Sequence, residues 1–165
     1  MLTDVLCTRC GLCCDGTLFG DVELTGRREA TRLQALGLDV DTDDADVELL
    51  ALPCAGLRGT RCAVYADRPR CCRTFECRLL QDTRRGVVTP EAALARIVRT
   101  RRQVERVSAL LGGTRADRGH LPLAERVADA LARPAARSSP AGQRRARLRA
   151  AMTALQRTIQ ATFLD

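Results

Sequence analysis

The chain has 165 residues, including 27 basic residues, all of them arginine, and 20 acidic residues. This length suits one compact domain or a small module with a helical appendage. A membrane span needs about 18 consecutive apolar residues, and no such stretch occurs. Because the first residues also lack the basic and apolar regions of a secretory signal, we expect a cytoplasmic protein without a membrane segment.

Charge is distributed unevenly along the chain. Residues 1–57 carry 11 acids and 4 arginines, a net charge of −7, whereas residues 58–165 carry 9 acids and 23 arginines, a net charge of +14. Such asymmetry is typical of proteins that bind an acidic partner or nucleic acid. The simpler interpretation, which we favour, is that the two halves offset each other and that the arginines cover solvated helix surface.

Nine cysteines lie within the first 77 residues, and the remaining 88 residues contain none. A disulfide framework is disfavoured because the number is odd and no export signal precedes it. Inert buried thiols would be scattered among core positions. Metal ligation explains the clustering, since two thiolates separated by two residues turn inward and supply a pair of ligands to one ion.

The first cysteine motif is C-x2-C-x2-C-C, formed by Cys7, Cys10, Cys13 and Cys14. Three cysteines at this spacing also wrap iron–sulfur clusters, with a remote thiolate completing the cage. Gly11 lies inside the motif, where a positive φ lets backbone amides face the sulfurs. Neighbouring side chains such as those of Cys13 and Cys14 tend to point apart, so we expect this pair to serve two centres.

Two short strands and one helix are predicted between the cysteine motifs. Residues 18–24 alternate enough for a strand, Thr25 is a candidate N-cap for a helix to about residue 36, and Gly37 ends that helix. Residues 39–48 carry six acids and predict an exposed acidic loop, because the glycine and terminal glutamate of a calcium loop are missing at their spacing. A strand over 47–52 then leads into the next cysteine.

The second set of cysteines lies in three segments, Leu52-Pro53-Cys54, Cys62-Ala63-Val64-Tyr65 and Arg68-Pro69-Arg70-Cys71-Cys72-Arg73-Thr74-Phe75-Glu76-Cys77. With these motifs, residues 5–80 resemble the YkgJ-like CxxCxxCC cysteine-cluster family, whose members are described as zinc- or iron-chelating domains. That family opens with C-x2-C-x2-C-C, carries a Pro-Cys, and then shows the run C-x-[IV]-Y-x-x-R-P-x-x-C-R-x-[FY]-x-C.

The resemblance implies metal binding through the cysteines that match the pattern. These are Cys7, Cys10, Cys13, Cys14, Cys54, Cys62, Cys72 and Cys77. Cys71 is extra to the pattern and is left out of the ligand set. Eight thiolates would hold two zinc ions, two iron–sulfur clusters or one of each; with Cys71, nine thiolates would hold three zinc ions with shared sulfurs. We favour an iron–sulfur cluster over zinc by a small margin, because C-x2-C-x2-C with remote cysteines suits a cluster.

A metal centre held by thiolates carries negative charge that needs compensation. Arg68 and Arg73 are placed in the sequence to donate N–H groups to sulfur, and we predict that they bind the cofactor in this way. The alternative is that these two arginines form ion pairs with Asp67 and Glu76.

Beyond the cysteines the sequence predicts three helices. Thr89-Pro90-Glu91 is a helix-start signal for a helix over 90–111, and further helices are predicted over 122–133 and 140–163. The last one carries a stripe of apolar residues at helical spacing, namely Leu148, Met152, Leu155, Ile159 and Phe163. We expect this stripe to pack against the 90–111 helix, with self-association or a partner's groove as the alternative.

Two of these helices are rich in arginine, and the chain has one histidine. The arginines are Arg96, Arg99, Arg101, Arg102 and Arg106, followed by Arg144, Arg145, Arg147 and Arg149. Nucleic-acid binding is disfavoured because the helical part has a single aromatic residue, Phe163, on the apolar stripe, and so no base-stacking platform. Duplex binding by charge alone stays open. His120 is expected at the surface or at a helix cap, far along the chain from the thiols.

We therefore predict an α+β protein, with a small cysteine-rich, metal-centred module over residues 1–88 and a mainly helical region over 89–165. Its function is to hold iron, as an iron–sulfur cluster, or zinc. One alternative is a zinc-structured module whose Arg-rich helices bind an acidic protein or nucleic acid. The other is an iron–sulfur-dependent, protein-modifying enzyme, because the bacterial flagellin lysine N-methylases carry a similar cysteine motif, although this chain is much shorter than those enzymes.

Overall fold

The computed structural model describes residues 2–41, 47–112, 119–134, 136 and 138–164. Its helices are α1 (Leu2–Cys10), α2 (Arg27–Ala35), α3 (Arg70–Thr74), α4 (Arg78–Arg84), α5 (Pro90–Leu111), α6 (Leu123–Ala132) and α7 (Pro140–Thr162). Its strands are β1 (Asp21–Glu23), β2 (Val40–Asp41), β3 (Leu49–Ala51), β4 (Leu57–Arg58) and β5 (Arg61–Cys62), with a 3-10 turn at Tyr65–Asp67. Short strands in the cysteine-bearing part and long helices after it confirm the predicted α+β class.

The strands form one three-stranded sheet and one hairpin. β3 is the central strand of the sheet and pairs antiparallel with β1 and β2, so that Leu50 lies opposite both Val22 and Val40. Both predicted strands exist but are shorter than predicted, because the pairing of β1 with β3 extends over only three residue pairs. β4 and β5 form the separate hairpin.

Helix α2 closes one face of the small sheet. Leu33 from the helix and Leu50 from β3 are both buried in the same apolar cluster. Gly26, with a φ of 110°, is the N-cap of α2, so the prediction of Thr25 at that position is wrong. The Thr25 amide instead donates to Glu29 Oε2 at 2.9 Å, and the helix begins one residue later than a Thr25 cap requires. Gly37, with a φ of 78°, follows the helix end as predicted.

The three C-terminal helices lie where the sequence predicts them. The hydroxyl of Thr89 caps α5 by accepting from the Ala92 amide at 3.2 Å, and Ser139 Oγ caps α7 by accepting from the Gly142 amide at 3.0 Å. Such caps satisfy amides that have no partner within the helix. Among the described residues, no helix is long and apolar enough to cross a membrane.

The apolar stripe of α7 is buried within the chain itself. Its first four residues pack in one cluster with Val107 of α5 and Val127 of α6, and Phe163 lies in a second cluster. Packing against the 90–111 helix is therefore confirmed. The stripe is therefore covered by residues of the same chain, and self-association through α7 stays a prediction.

A second apolar cluster joins the cysteine-bearing part to the helical region. Leu6, Leu12 and Leu79 contribute to it from one side, and Ile97 and Phe163 contribute from the other. The core is thus continuous across residue 88, where the sequence predicts a boundary between two units. That boundary stays a prediction.

We expect Leu155→Ala to destabilise the helical region by about 2–5 kcal/mol, because a fully buried leucine leaves a cavity when it is truncated. Leu155 lies on α7, has no exposed surface and packs in one cluster with Val107 of α5 and Val127 of α6. Urea unfolding followed by circular dichroism measures the change. The exposed neighbour provides the control, since Gln156→Ala removes no buried contact; equal stability of the two variants would contradict this packing.

Candidate metal centre

The first cysteine motif is built on a helix and the turn after it. Cys7 and Cys10 both lie on α1. The backbone between them is therefore helical and does not form the tight turn that is typical of C-x2-C metal ligands. Residues three apart on a helix share a face, which brings their sulfurs to one side. Gly11 follows with a φ of 70°, the conformation expected there, and directs the chain into the turn that carries Cys13 and Cys14.

The hairpin of β4 and β5 packs directly on this helix and fixes the turn. Thr60, between the two strands, donates its hydroxyl to the Thr8 carbonyl at 2.6 Å. A Cβ at Gly11 would lie 3.2 Å from the Thr60 Cα, so the position also needs a residue without a side chain. Through this contact Cys62, on β5, is held close to the first motif.

The remaining cysteines come from three further segments. Cys54 is tied to the first motif because its amide donates to the Cys14 carbonyl at 2.8 Å. Cys71 and Cys72 lie on α3, and Cys77 is the N-cap of α4. All nine cysteines are free thiols, and the fold gathers them into one region from segments that are far apart in sequence.

Electrostatic repulsion divides the thiols into two sets, of which the first contains Cys7, Cys10, Cys13 and Cys77. Burial raises the pKa of Cys10 to about 12, with further contributions from Cys77 and Cys7. Burial also raises the pKa of Cys13 well above the thiol range. The thiolates that raise it further are, in decreasing order, those of Cys10, Cys77, Cys14 and Cys7. Repulsion of this kind requires close neighbours, so Cys10, Cys13 and Cys77 form a group, and Cys7 joins it because it acts on Cys10 from the same helix.

The second set contains Cys14, Cys54, Cys62 and Cys72, with Cys71 beside it. Burial raises the pKa of Cys14 to about 12, and the largest repulsions come from Cys54 and Cys62. Burial, together with repulsion from Cys62, also raises the pKa of Cys54. The pKa of Cys72 is raised by its contact with Cys71, by burial, and by repulsion from Cys71, Cys14 and Cys54. Adjacent Cys13 and Cys14 thus have different neighbours.

The two sets suit a soft metal ion by their chemistry. Soft thiolate ligands favour zinc and iron–sulfur clusters. A cation between buried thiolates that repel each other would stabilise their charged form. Among the described residues, no group of three or more His, Cys, Asp or Glu side chains is positioned to coordinate one metal ion. Rotation of the cysteine side chains between staggered positions would therefore have to bring each set together on a metal.

One arginine from the helical region reaches the first set, and the sequence patterns did not single it out from its neighbours. Arg101 of α5 donates to the Cys10 carbonyl at 2.7 Å. Its charge also opposes the effect of burial on Asp15, whose pKa is raised because the carboxylate is desolvated. The sequence gives little indication of this role, because Arg101 is one of five arginines between residues 96 and 106. It differs from the others only in its position around the helix axis, which directs its side chain toward the first set.

The two arginines predicted to compensate the sulfur charge lie near the second set. The Arg68 guanidinium stacks over the Tyr65 ring at 3.7 Å and donates from Nε to the Tyr65 carbonyl, and Arg73 is exposed. The alternative of ion pairs with Asp67 and Glu76 is wrong. Asp67 pairs with Arg32, and Glu76 pairs with Arg84. A role of Arg68 and Arg73 toward sulfur stays a prediction.

Other sequence candidates have structural positions. His120 is exposed in a turn. Arg144 donates to the Leu110 carbonyl and Arg145 to the Leu131 carbonyl, so each satisfies a carbonyl near the C-terminal end of a helix. Half of the acidic loop predicted over 39–48, namely residues 42–46, lies outside the described residues.

Comparison with known proteins identifies the family of the chain. A family model, CxxCxxCC, with the description "Putative zinc- or iron-chelating domain", matches residues 6–93. The match covers more than half of the chain and includes all nine cysteines, and the protein belongs to the CxxCxxCC family. No curated protein and no solved structure matches the chain significantly.

We expect Arg101→Ala to lower stability by about 1–3 kcal/mol, because it removes a charged hydrogen bond and leaves the Cys10 carbonyl without that donor. The loss of a positive charge beside Asp15 adds to the effect. Thermal unfolding of the purified chain measures the change. Arg102→Ala is the matched control, since Arg102 is the exposed next residue on the same helix; equal melting temperatures would show that the Arg101 contact does not stabilise the fold.

Proposed function

We propose that the protein holds two metal centres, one in each set of four pattern cysteines, and that each centre is an iron–sulfur cluster or a zinc ion. The observation that carries the proposal is the placement of the cysteine segments, since Cys7 and Cys10 lie on α1, whereas the Cys54 amide donates to the Cys14 carbonyl at 2.8 Å. The neighbours that most raise the pKa of each thiol agree with this placement. Cys13 has Cys10 and Cys77 as its strongest neighbours, whereas Cys14 has Cys54 and Cys62. Two sets of four match the ligand number of both kinds of centre.

The protein's own residues supply two things at these centres besides sulfur. The first is an apolar environment. Leu6 and Leu12 are buried in the same cluster as Cys10 and exclude water from one side of the first set. The second is positive and dipolar compensation. The Leu12 amide lowers the pKa of Cys10 against the larger effect of burial, and Arg101 brings its charge to the same turn. A bound metal would add folding free energy to this part of the chain.

The nature of the metal is tested by analysing iron, zinc and acid-labile sulfide per chain after anaerobic purification. Brown protein with similar amounts of iron and sulfide would establish clusters, which the spacing of the first motif favours. Colourless protein with zinc and no sulfide would establish zinc sites. Protein that retains neither metal, although it is folded by circular dichroism, would overturn the proposal.

The division into two sets predicts how metal is lost. Cys10→Ser, in the first set, is expected to release about half of the bound metal and to leave the rest. The double variant Cys14→Ser/Cys54→Ser is expected to release the other half. Each variant serves as the control for the other, because each leaves one set complete. If either variant retains its helical circular dichroism and still loses all of its metal, the two sets share a single centre.

A second candidate function rests on a separate surface of α5. Arg96, Arg99, Arg102 and Arg106 are exposed at steps of three, three and four residues, which places them on one face of the helix. No ion pair between any of them and an acid is found within the described residues. Because Phe163 is buried and supplies no stacking surface, we favour an acidic protein over nucleic acid as the partner of this face.

Binding through this face is expected to weaken steeply with salt, because its attraction is electrostatic and screened. Polyglutamate is the probe, and the variant Arg99→Glu/Arg102→Glu is expected to lose at least tenfold in affinity at low salt. Arg149→Glu/Arg157→Glu, at two exposed arginines of α7, is the control, since it changes the net charge by the same amount. Equal losses in the control and in the α5 variant would show that net charge, and not this face, determines binding.

A further inference from the structure

Cys71 lies outside the family's cysteine pattern, but its sulfur lies 4.0 Å from that of Cys72. We propose that Cys71 is a metal ligand of the second set, which therefore offers five sulfurs for the four positions of a tetrahedral site, where the first set offers four. The inference rests on the proposed function, since it concerns the same metal site. It goes beyond that function by assigning a ligand that the family pattern leaves out.

The distance between the two sulfurs is the first argument. In a tetrahedral zinc site each Zn–S bond is about 2.3 Å, so two ligand sulfurs of one ion lie about 3.8 Å apart. The observed 4.0 Å between Cys71 and Cys72 is close to that separation. Side chains of adjacent residues tend to diverge, and on a helix they differ in direction by roughly 100°. The convergence of these two sulfurs is therefore a specific feature of α3.

The surroundings of Cys71 give the second argument. Its side chain packs against the apolar cluster of Leu33 and Leu50, and Cys54 packs against the same cluster. Cys71 is therefore on the side of the small sheet that faces the second set. Neither residue is fully buried, so both thiols keep access to a metal ion.

The third argument is that Cys71 is held in place by α2. The Glu29 carboxylate accepts from the Arg70 amide at 2.9 Å, and this contact anchors the first residue of α3. The Phe75 amide donates to the Cys71 carbonyl at 3.0 Å and closes the other end of the turn. These contacts fix the backbone on both sides of Cys71, so that only its side chain has to be ordered when it binds a metal.

A set with five sulfurs tolerates the loss of one, and this separates the proposal from a four-ligand site. Cys62→Ser leaves Cys14, Cys54, Cys71 and Cys72, and we expect it to retain the metal of the second set. Cys71→Ser leaves the four pattern cysteines and is expected to retain the metal as well. The double variant Cys62→Ser/Cys71→Ser leaves three sulfurs and is expected to lose about half of the total bound metal.

The experiment uses the full-length reduced chain, loaded anaerobically with Zn(II) and then dialysed, with zinc per chain as the readout. Co(II) loading gives a second readout, because its thiolate charge-transfer absorbance reports sulfur ligands directly. The metal of the first set, which none of these variants alters, is the internal reference for folding. If Cys62→Ser loses as much metal as the double variant, Cys71 is not a ligand.

The outcome also separates this inference from the proposed function. If the unmodified chain binds neither Zn(II) nor Co(II) through thiolates, the proposed function fails and Cys71 has no site to join. If the unmodified chain and Cys71→Ser hold two equivalents while Cys62→Ser holds one, the proposed function stands and only the assignment of Cys71 fails.

Discussion

The rest of the structure depends on nine thiols gathered into one region, in which Cys10 is buried, Cys7 is exposed and the other seven are half-buried. Burial and neighbouring sulfurs raise the pKa of Cys10 and of Cys14 to about 12, so these two sulfurs are more stable as neutral thiols than as isolated thiolates. The same features that disfavour the thiolate alone favour a thiolate bound to a cation.

The helical region packs on the cysteine-bearing part and contributes contacts to the first set of thiols. α5 presents Ile97 to the apolar cluster below α1, and Arg101, one turn further on, to the Cys10 carbonyl. At its end α7 presents Phe163, whose side chain joins the same cluster and whose carbonyl accepts from the Arg78 amide at the start of α4. The segments that carry the first set of thiols are thereby held in place by α5 and α7, two helices that contain no cysteine. Release of metal and local unfolding of these segments are expected to be coupled, since they involve the same contacts.

The second set is supported differently. Its cysteines lie on short strands, turns and the five-residue α3, and their positions depend on hydrogen bonds between segments, such as those from the Cys54 amide to Cys14 and from the Arg70 amide to Glu29. Burial and the hydrogen bonds from Thr25 and Arg70 act on Glu29 in opposite directions, and the hydrogen bonds prevail, so that its pKa is lowered. A carboxylate that is stabilised in this way contributes to the fold above its unfolded pKa and loses that contribution as the pH falls. The fifth thiol belongs to this less helical set.

The sequence by itself determined the helices over 90–111, 122–133 and 140–163, because capping residues and a 3.6-residue apolar period are local signals. It also determined the family, because cysteine spacing is read directly from the chain. The helical state of Cys7 and Cys10, the start of α2 at Gly26 and the inward direction of Arg101 were decided by tertiary structure. Each depends on a contact between residues distant in sequence or on a competing local hydrogen bond. The grouping of Cys13 with Cys77 and of Cys14 with Cys54 likewise arises only when the chain folds, since spacing along the chain carries no information about which remote sulfur lies beside which.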